Sequence, residues 1–517
     1  MNRLLLALCL LPAAVSAQGA PAVDALRIDP LSLVALREAR SAADALGLFP
    51  GWDFRTAPVL LYRPGVQDVL LGMPDPPDGF VRYTGPSPLG DEPIWVRNDS
   101  TLFALDGQNT AAELDGRRVL VVADPASQMR NQLRMAAGMS RERQDAWLDG
   151  WSFLGSPYDL VTLLLHEGFH VHQYAQGDKF ADESLIARYP LYDATNNALQ
   201  ELEGLILLAA ARGEAAPGEA LRQFAAVRSA RHAALGPELA GYEMAVEFGE
   251  GLAKYVEYRF YQTGASLTPH PEAYLMAGFD GYGRLADRFE RQLASAEGLI
   301  RAETVVNGDP FGTGNLRLRL YPMGALEALL LDTVAPGWTD RIFDPGVFPS
   351  TLLVEAAGLS ASDAASALAE AKSRYRYGDL LAAKRTYERE GRAAAQAKLD
   401  ALLETDRTLV RVAYGAVTDE PPALTYTSFG VTPLGDGRAL YELVPIRAEF
   451  GADASLTMNV VTPVLVDPDR REVVFAVDVP AAEISEVGGA VETEAFTMDG
   501  RVATVAPDER GLRIELR

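Results

Sequence analysis

The chain has 517 residues, 48% hydrophobic and 23% charged, with a formal net charge of −24. That length exceeds a single hydrophobic core, so two or three domains are expected. The acidity argues against nucleic acid or an anionic membrane surface as partner, because both need basic patches.

The N-terminus reads as a cleavable export signal over residues 1–17. Met1-Asn2-Arg3 supplies the positive end, residues 4–15 an apolar stretch too short to span a bilayer, and Val15-Ser16-Ala17 a small-residue cleavage site. Leu8 ahead of Cys9 does not suit lipoprotein processing, and no later run is long and apolar enough to cross a membrane. A secreted or periplasmic product with no stable membrane anchor is therefore expected. Cys9 is the one cysteine in the sequence and falls in the removed segment. The mature chain then has no disulfide, no thiolate zinc site and no cysteine nucleophile. Any zinc must sit on histidine and carboxylate.

Residues 18–150 read as a lead-in helix, over roughly 30–48, and a sheet lobe. Apolar β-prone runs at 58–62, 67–71, 93–97 and 118–122, broken by Pro and Gly, predict a twisted sheet of four to six strands. Residues 126–150 read as a connecting helix or loop. Residues 151–415 are mainly helical, with helices predicted at 157–175, 196–212, 217–234, 238–262, 284–302, 322–333, 360–374 and 379–412. Past residue 416 the periodicity changes, and residues 420–517 read as a separate β domain, sandwich-like, without a histidine.

The chemistry concentrates in His166-Glu167-Gly168-Phe169-His170, an HExxH motif. Residues four apart on a helix lie one turn up on nearly the same face, so two imidazoles there can grip one metal ion. Glu167 beside them can act as a base on a water polarised by that ion. The motif must be helical, and Ser156-Pro157-Tyr158-Asp159 upstream supplies an N-cap serine, a first-turn proline and an acid. The competing reading is two ordinary histidines on a buried helix, but buried imidazoles need polar partners in any case. Gly168 inside this helix points to a close approach by another group. Of the five histidines, His172 lies about 240° around the helix from His166 and should not join the metal set. His232 and His270 read as exposed.

A catalytic zinc usually takes three protein ligands and keeps a position open. Two glutamates compete for the third place. One is Glu203, in Glu201-Leu202-Glu203-Gly204 on the next predicted helix. The other is Glu250, in Glu250-Gly251-Leu252-Ala253-Lys254-Tyr255. HExxH followed by Glu-Gly-x-Ala-x-Tyr resembles the gluzincin metallopeptidases, particularly the thermolysin-like lobe of the zinc aminopeptidases. The resemblance covers about 100 residues and rests on these two motifs. It implies that Glu250 is the third zinc ligand, with an insertion of helices between it and His170. It also implies a tyrosine or histidine beside the metal to stabilise an oxyanion, for which Tyr321 is the candidate. The Gly-x-Met-Glu-Asn amine-recognition motif of the aminopeptidases is absent, which counts against N-terminal exopeptidase activity, and the sequence does not otherwise choose between endo- and exo-cleavage. Glu243, Glu247 and Glu250 share one face of an ideal helix. A solvated acidic face is the simpler account of Glu247, and a carboxylate holding a ligand histidine is the functional one.

These features predict an α+β protein. A zincin-like unit, with an N-terminal twisted sheet followed by a helical lobe carrying HExxH, precedes a C-terminal β-sandwich-like domain. The function expected is that of a zinc metallopeptidase acting on a peptide or protein substrate. Metal ligands are His166, His170 and Glu250, and catalytic groups are Glu167 and Tyr321. The alternative is a zinc-stabilised, non-catalytic binding or scaffold protein on the same fold. The sequence leaves oligomeric state open.

Overall fold

A computed structural model describes residues 25–99, 102–103, 105, 107–136, 156–177, 179–302, 314–426, 430–442 and 446–517. The expected signal, residues 1–17, and the connection over 137–150 lie outside the described residues. Helix α1 (Leu31–Leu46) leads into a sheet built from β1 (Val59–Arg63), β2 (Gln67–Leu71), β3 (Val81–Arg82), β4 (Trp95–Arg97), β5 (Thr110–Leu114) and β6 (Arg117–Ala123). The strand order is β3-β4-β2-β1-β6-β5. β1 and β6 run parallel, and every other pair is antiparallel. Strands β1, β2 and β6 are buried along nearly their whole length, which requires cover on both faces. Alternation divides them accordingly. Val59, Leu61, Val69, Leu71, Leu120 and Val122 join the main core with α1. Leu60, Tyr62, Leu70, Val119 and Val121 form a smaller cluster on the other face. Among the described residues β5 is bonded on one side only and is mostly half-buried, an edge strand.

After α2 (Pro125–Ala136) comes the helix carrying HExxH, α3 (Pro157–Gln176). Its start is set as the sequence suggests. The Ser156 side chain accepts from the Asp159 N–H, and Pro157 occupies the first turn. The rest of the middle is helical: α4 (Ala194–Ala211), α5 (Pro217–Leu235), α6 (Pro237–Val246), α7 (Leu252–Thr263), α8 (Leu285–Arg301), α9 (Gly314–Val334), α10 (Pro349–Ala357), α11 (Ala361–Arg374) and α12 (Tyr377–Leu403). Three expectations need correction. The single helix predicted over 238–262 is interrupted by a π-helical turn, Glu247–Gly251. The helix predicted from residue 322 begins at Gly314, with Pro322 inside it rather than at its start. The helix predicted over 379–412 ends at Leu403, and Thr408–Ala413 is strand β7. Here the β-branched alternation of Thr408, Val410 and Val412 prevails.

β7 lies in a seven-stranded sheet, flanked by β14 (Glu472–Val477) antiparallel and by the last strand, β18 (Gly511–Leu516), parallel. β9 (Val431–Gly435) and β10 (Arg438–Tyr441) close that sheet's far edge. Asp436 and Gly437 between them both take positive φ, the geometry of a two-residue hairpin. A five-stranded sheet faces it, in which β8 (Ala423–Thr425) is one edge. Val410, Val412 and Phe475 of the first sheet share one core with Phe450, Leu456 and Met498 of the second. Ile186, Tyr189, Tyr242, Leu316 and Leu320 of the helical region belong to the same core. The β unit is thus welded to the helices rather than tethered to them. Among the described residues no single helix is long and apolar enough to cross a membrane.

Candidate metal centre

On α3, His166 and His170 turn their Nε2 atoms toward one carboxylate oxygen, Glu250 Oε2, at 3.3 and 3.5 Å. The three ligand atoms lie within 4.8 Å of one another, and among the described residues no other trio of His, Cys, Asp or Glu meets that condition. Glu203 is elsewhere. It is fully buried between Arg228 and Arg231, with Nε–oxygen distances of 2.9 and 2.8 Å.

Each of the three side chains is held by its other polar atom. His166 Nδ1 lies 2.8 Å from Glu257 Oε1, and the second oxygen of Glu257 accepts from Lys254 Nζ at 2.7 Å. His170 Nδ1 lies 2.8 Å from Gln173 Oε1, and the Gln173 amide donates to the Phe248 carbonyl. Both partners at Nδ1 are acceptors, so each imidazole donates its Nδ1 proton there and turns Nε2 to the centre. Glu250 Oε1 accepts from Arg317 Nη2 at 2.8 Å, which leaves Oε2 for the centre. Two imidazole nitrogens and one carboxylate oxygen form a donor set that suits zinc with an open coordination position.

The π-turn explains how Glu250 arrives here. On an unbroken α-helix it would share a face with Glu243 and Glu247. The wider turn over Glu247–Gly251 changes the phase of the helix between them. Glu243 and Glu247 stay behind, fully buried, where Arg231 and Arg228 pair with them at 2.7 Å. Neither account of Glu247 offered by the sequence holds: it faces no solvent and holds no ligand histidine. Beyond the turn the α-helical phase resumes. Glu257, two turns after Glu250, reaches His166 on the same side.

A close crossing fixes the turn in place. A Cβ on Gly251 would lie 2.6 Å from Gly324 Cα, and one on Gly324 would lie 2.2 Å from the Glu247 carbonyl oxygen. This contact brings Arg317 and Tyr321 of α9 against the centre. Gly324→Ala should lower stability by roughly 1–3 kcal/mol, the usual cost of overpacking. The urea midpoint checks this, and an unshifted midpoint would mean the crossing is looser than described. At Gly168 the close neighbour is the Phe54 ring, which a Cβ there would meet at 2.5 Å.

Burial disfavours a charged imidazole at His166, but hydrogen bonds to Glu250 and Glu257 outweigh it and raise its pKa to about 10. Burial likewise opposes the charge of Glu250, yet the two imidazoles and Arg317 hold its carboxyl well below the usual range. The centre therefore favours positive charge at the point where the three side chains converge. Glu167 is half-buried, and burial pushes its carboxyl up against the pull of His170 and His166. Tyr321 stacks on the His166 ring, centroids 6.2 Å apart and planes 15° from parallel. Burial keeps its hydroxyl protonated, and so a hydrogen-bond donor.

The remaining histidines stand apart. His172 packs among Phe49, Phe169 and Phe343. His232 bonds Glu243, and His270 bonds Glu38, at 3.1 and 2.6 Å. Both are more enclosed than the exposed positions expected. Sequence reasoning missed Glu257, Gln173 and Arg317. Glu257 and Gln173 were within reach, lying seven residues from Glu250 and three from His170, on matching helix faces. Arg317 had no comparable signal. No family model matches this chain, and no curated protein or solved structure does.

Proposed function

We propose that this chain is a zinc-dependent peptide hydrolase, and that its N-terminal signal directs it out of the cytoplasm. The observation that carries the reading is the convergence of His166, His170 and Glu250, each with its outward atom already engaged. Bound there, zinc would supply Lewis acidity toward a water and a substrate carbonyl. Glu167 neighbours the two histidines, and burial raises its carboxyl pKa against the pull of His170 and His166, which suits a base that takes a proton from water and passes it to the leaving amine. The Tyr321 hydroxyl is a donor suited to a developing oxyanion. Among the described residues β5 is an edge strand bonded on one side, and an extended peptide could add main-chain hydrogen bonds along the other. A non-catalytic zinc scaffold would have no use for Glu167.

Metal content is the test. The purified protein should hold about one zinc per chain. Stoichiometry should fall toward zero in His166→Ala, His170→Ala and Glu250→Ala, and stay near one in Glu203→Gln. Chelator should abolish peptide cleavage and zinc should restore it. Wild-type stoichiometry in the two histidine variants would refute the site, and loss of zinc in Glu203→Gln alone would refute the ligand assignment.

A further inference from the structure

The β unit reaches the candidate metal centre through one chain of hydrogen bonds. Tyr426, which follows edge strand β8, donates its hydroxyl to the Glu183 carbonyl oxygen. Glu183 opens a short 3-10 turn, Glu183–Arg188, whose Ile186 is fully buried in the core of the β unit. The Glu183 carboxylate accepts from Arg317 Nη1 at 2.5 Å, and Tyr242 lies 3.4 Å from its other oxygen. Arg317 then donates its second nitrogen to Glu250 Oε1. One guanidinium thus spans two carboxylates, one anchored by the β unit and the other part of the candidate ligand set.

We infer that the C-terminal β unit sets how Glu250 meets the metal, with Tyr426, Glu183 and Arg317 as positioning residues. The inference rests on the zinc reading above. A carboxylate can ligate through one oxygen or through both. Arg317 occupies Oε1 and Oε2 is the oxygen that faces the two imidazoles, so Glu250 would ligate through a single oxygen and a coordination position would stay open for reactants. Arg317 stands in that place because Glu183 holds its other arm. Glu183 is fixed because its turn is bonded to Tyr426 and packed into the β core. The β unit is therefore part of the active centre, through bonds that never touch substrate.

Cobalt replaces zinc in such donor sets and reports coordination number through its visible d–d absorption, which weakens as ligands are added. The experiment compares this spectrum, and the zinc dissociation constant from chelator competition, in wild type, Arg317→Gln, Glu183→Gln and Tyr426→Phe. Tyr426→Phe removes one hydroxyl and keeps the ring that packs on Tyr441 at 5.0 Å, so it tests the chain without unseating the domain. In Arg317→Gln, Glu250 should swing both oxygens to the metal and the absorption should fall severalfold. Zinc affinity should weaken about tenfold, as when the outer partners of other metal ligands are removed. Glu183→Gln and Tyr426→Phe should change the spectrum in the same direction by less. If the spectra of Glu183→Gln and Tyr426→Phe superimpose on that of wild type, the inference is overturned while the zinc reading stands. A wild-type protein that binds neither metal overturns both.

Discussion

Glu167→Gln should retain its zinc and lose turnover by roughly 10²–10⁴-fold, the usual worth of a positioned general base. The substitution keeps the size and shape of the side chain and removes only its basicity. Glu167 touches neither the Glu257 nor the Gln173 support of the imidazoles, so the ligand set should be undisturbed. Zinc stoichiometry and peptide cleavage must be measured on the same preparation. A zinc-loaded variant that cleaves at the wild-type rate would show that Glu167 is not the base.

Arg228→Ala should cost roughly 3–5 kcal/mol of stability, the scale for breaking a buried ion pair. Arg228 is fully buried and serves three carboxylates, Glu203, Glu247 and Glu327, at 2.9, 2.7 and 2.8 Å. Arg231 serves Glu203 and Glu243. Four carboxylates therefore face two guanidiniums in an apolar interior, and part of the surplus charge is removed by protons. Burial pushes Glu247 up to about 7 and Glu327 well above the ordinary range. At Glu243 burial is outweighed by Arg231, which holds the group well below that range. Without Arg228 three acids lose a countercharge at once. Urea unfolding checks the magnitude, and a loss under about 1 kcal/mol, the range of an exposed pair, would mean the cluster is wetter than described.

Much of the centre was legible because helical spacing is rigid. HExxH placed two imidazoles on one face, and Ser156-Pro157 placed the start of their helix. The α+β order of sheet, helices and sheets was likewise written in the change of hydrophobic period. What stayed hidden depends on departures from ideal geometry or on long-range contact. Nothing local in Glu247-Phe248-Gly249-Glu250-Gly251 announces a π-turn. It exists because Gly251 and Gly324, 73 positions apart, allow two backbones to touch. The acidic stripe read from an ideal helix was therefore divided between two sites. Arg228 and Arg231 carry no local sign of burial, because their four acidic partners lie on other elements.

That wider turn also makes this wall of the protein sensitive to chain length as well as to residue identity. Each residue added to or dropped from an α-helix rotates all that follows by about 100°. Deleting one residue between Glu247 and Glu250 would remove the surplus residue that the wider turn absorbs, so an ordinary helix could take its place with Glu250 and Glu257 still on the side of the histidines. Single-codon deletions within the turn should accordingly keep zinc better than deletions between Glu250 and Glu257, which rotate Glu257 away from His166, and zinc stoichiometry across such a series checks this. The flanking α-helical stretches, which hold no compensating irregularity, should accept point substitutions far more readily than any change of length.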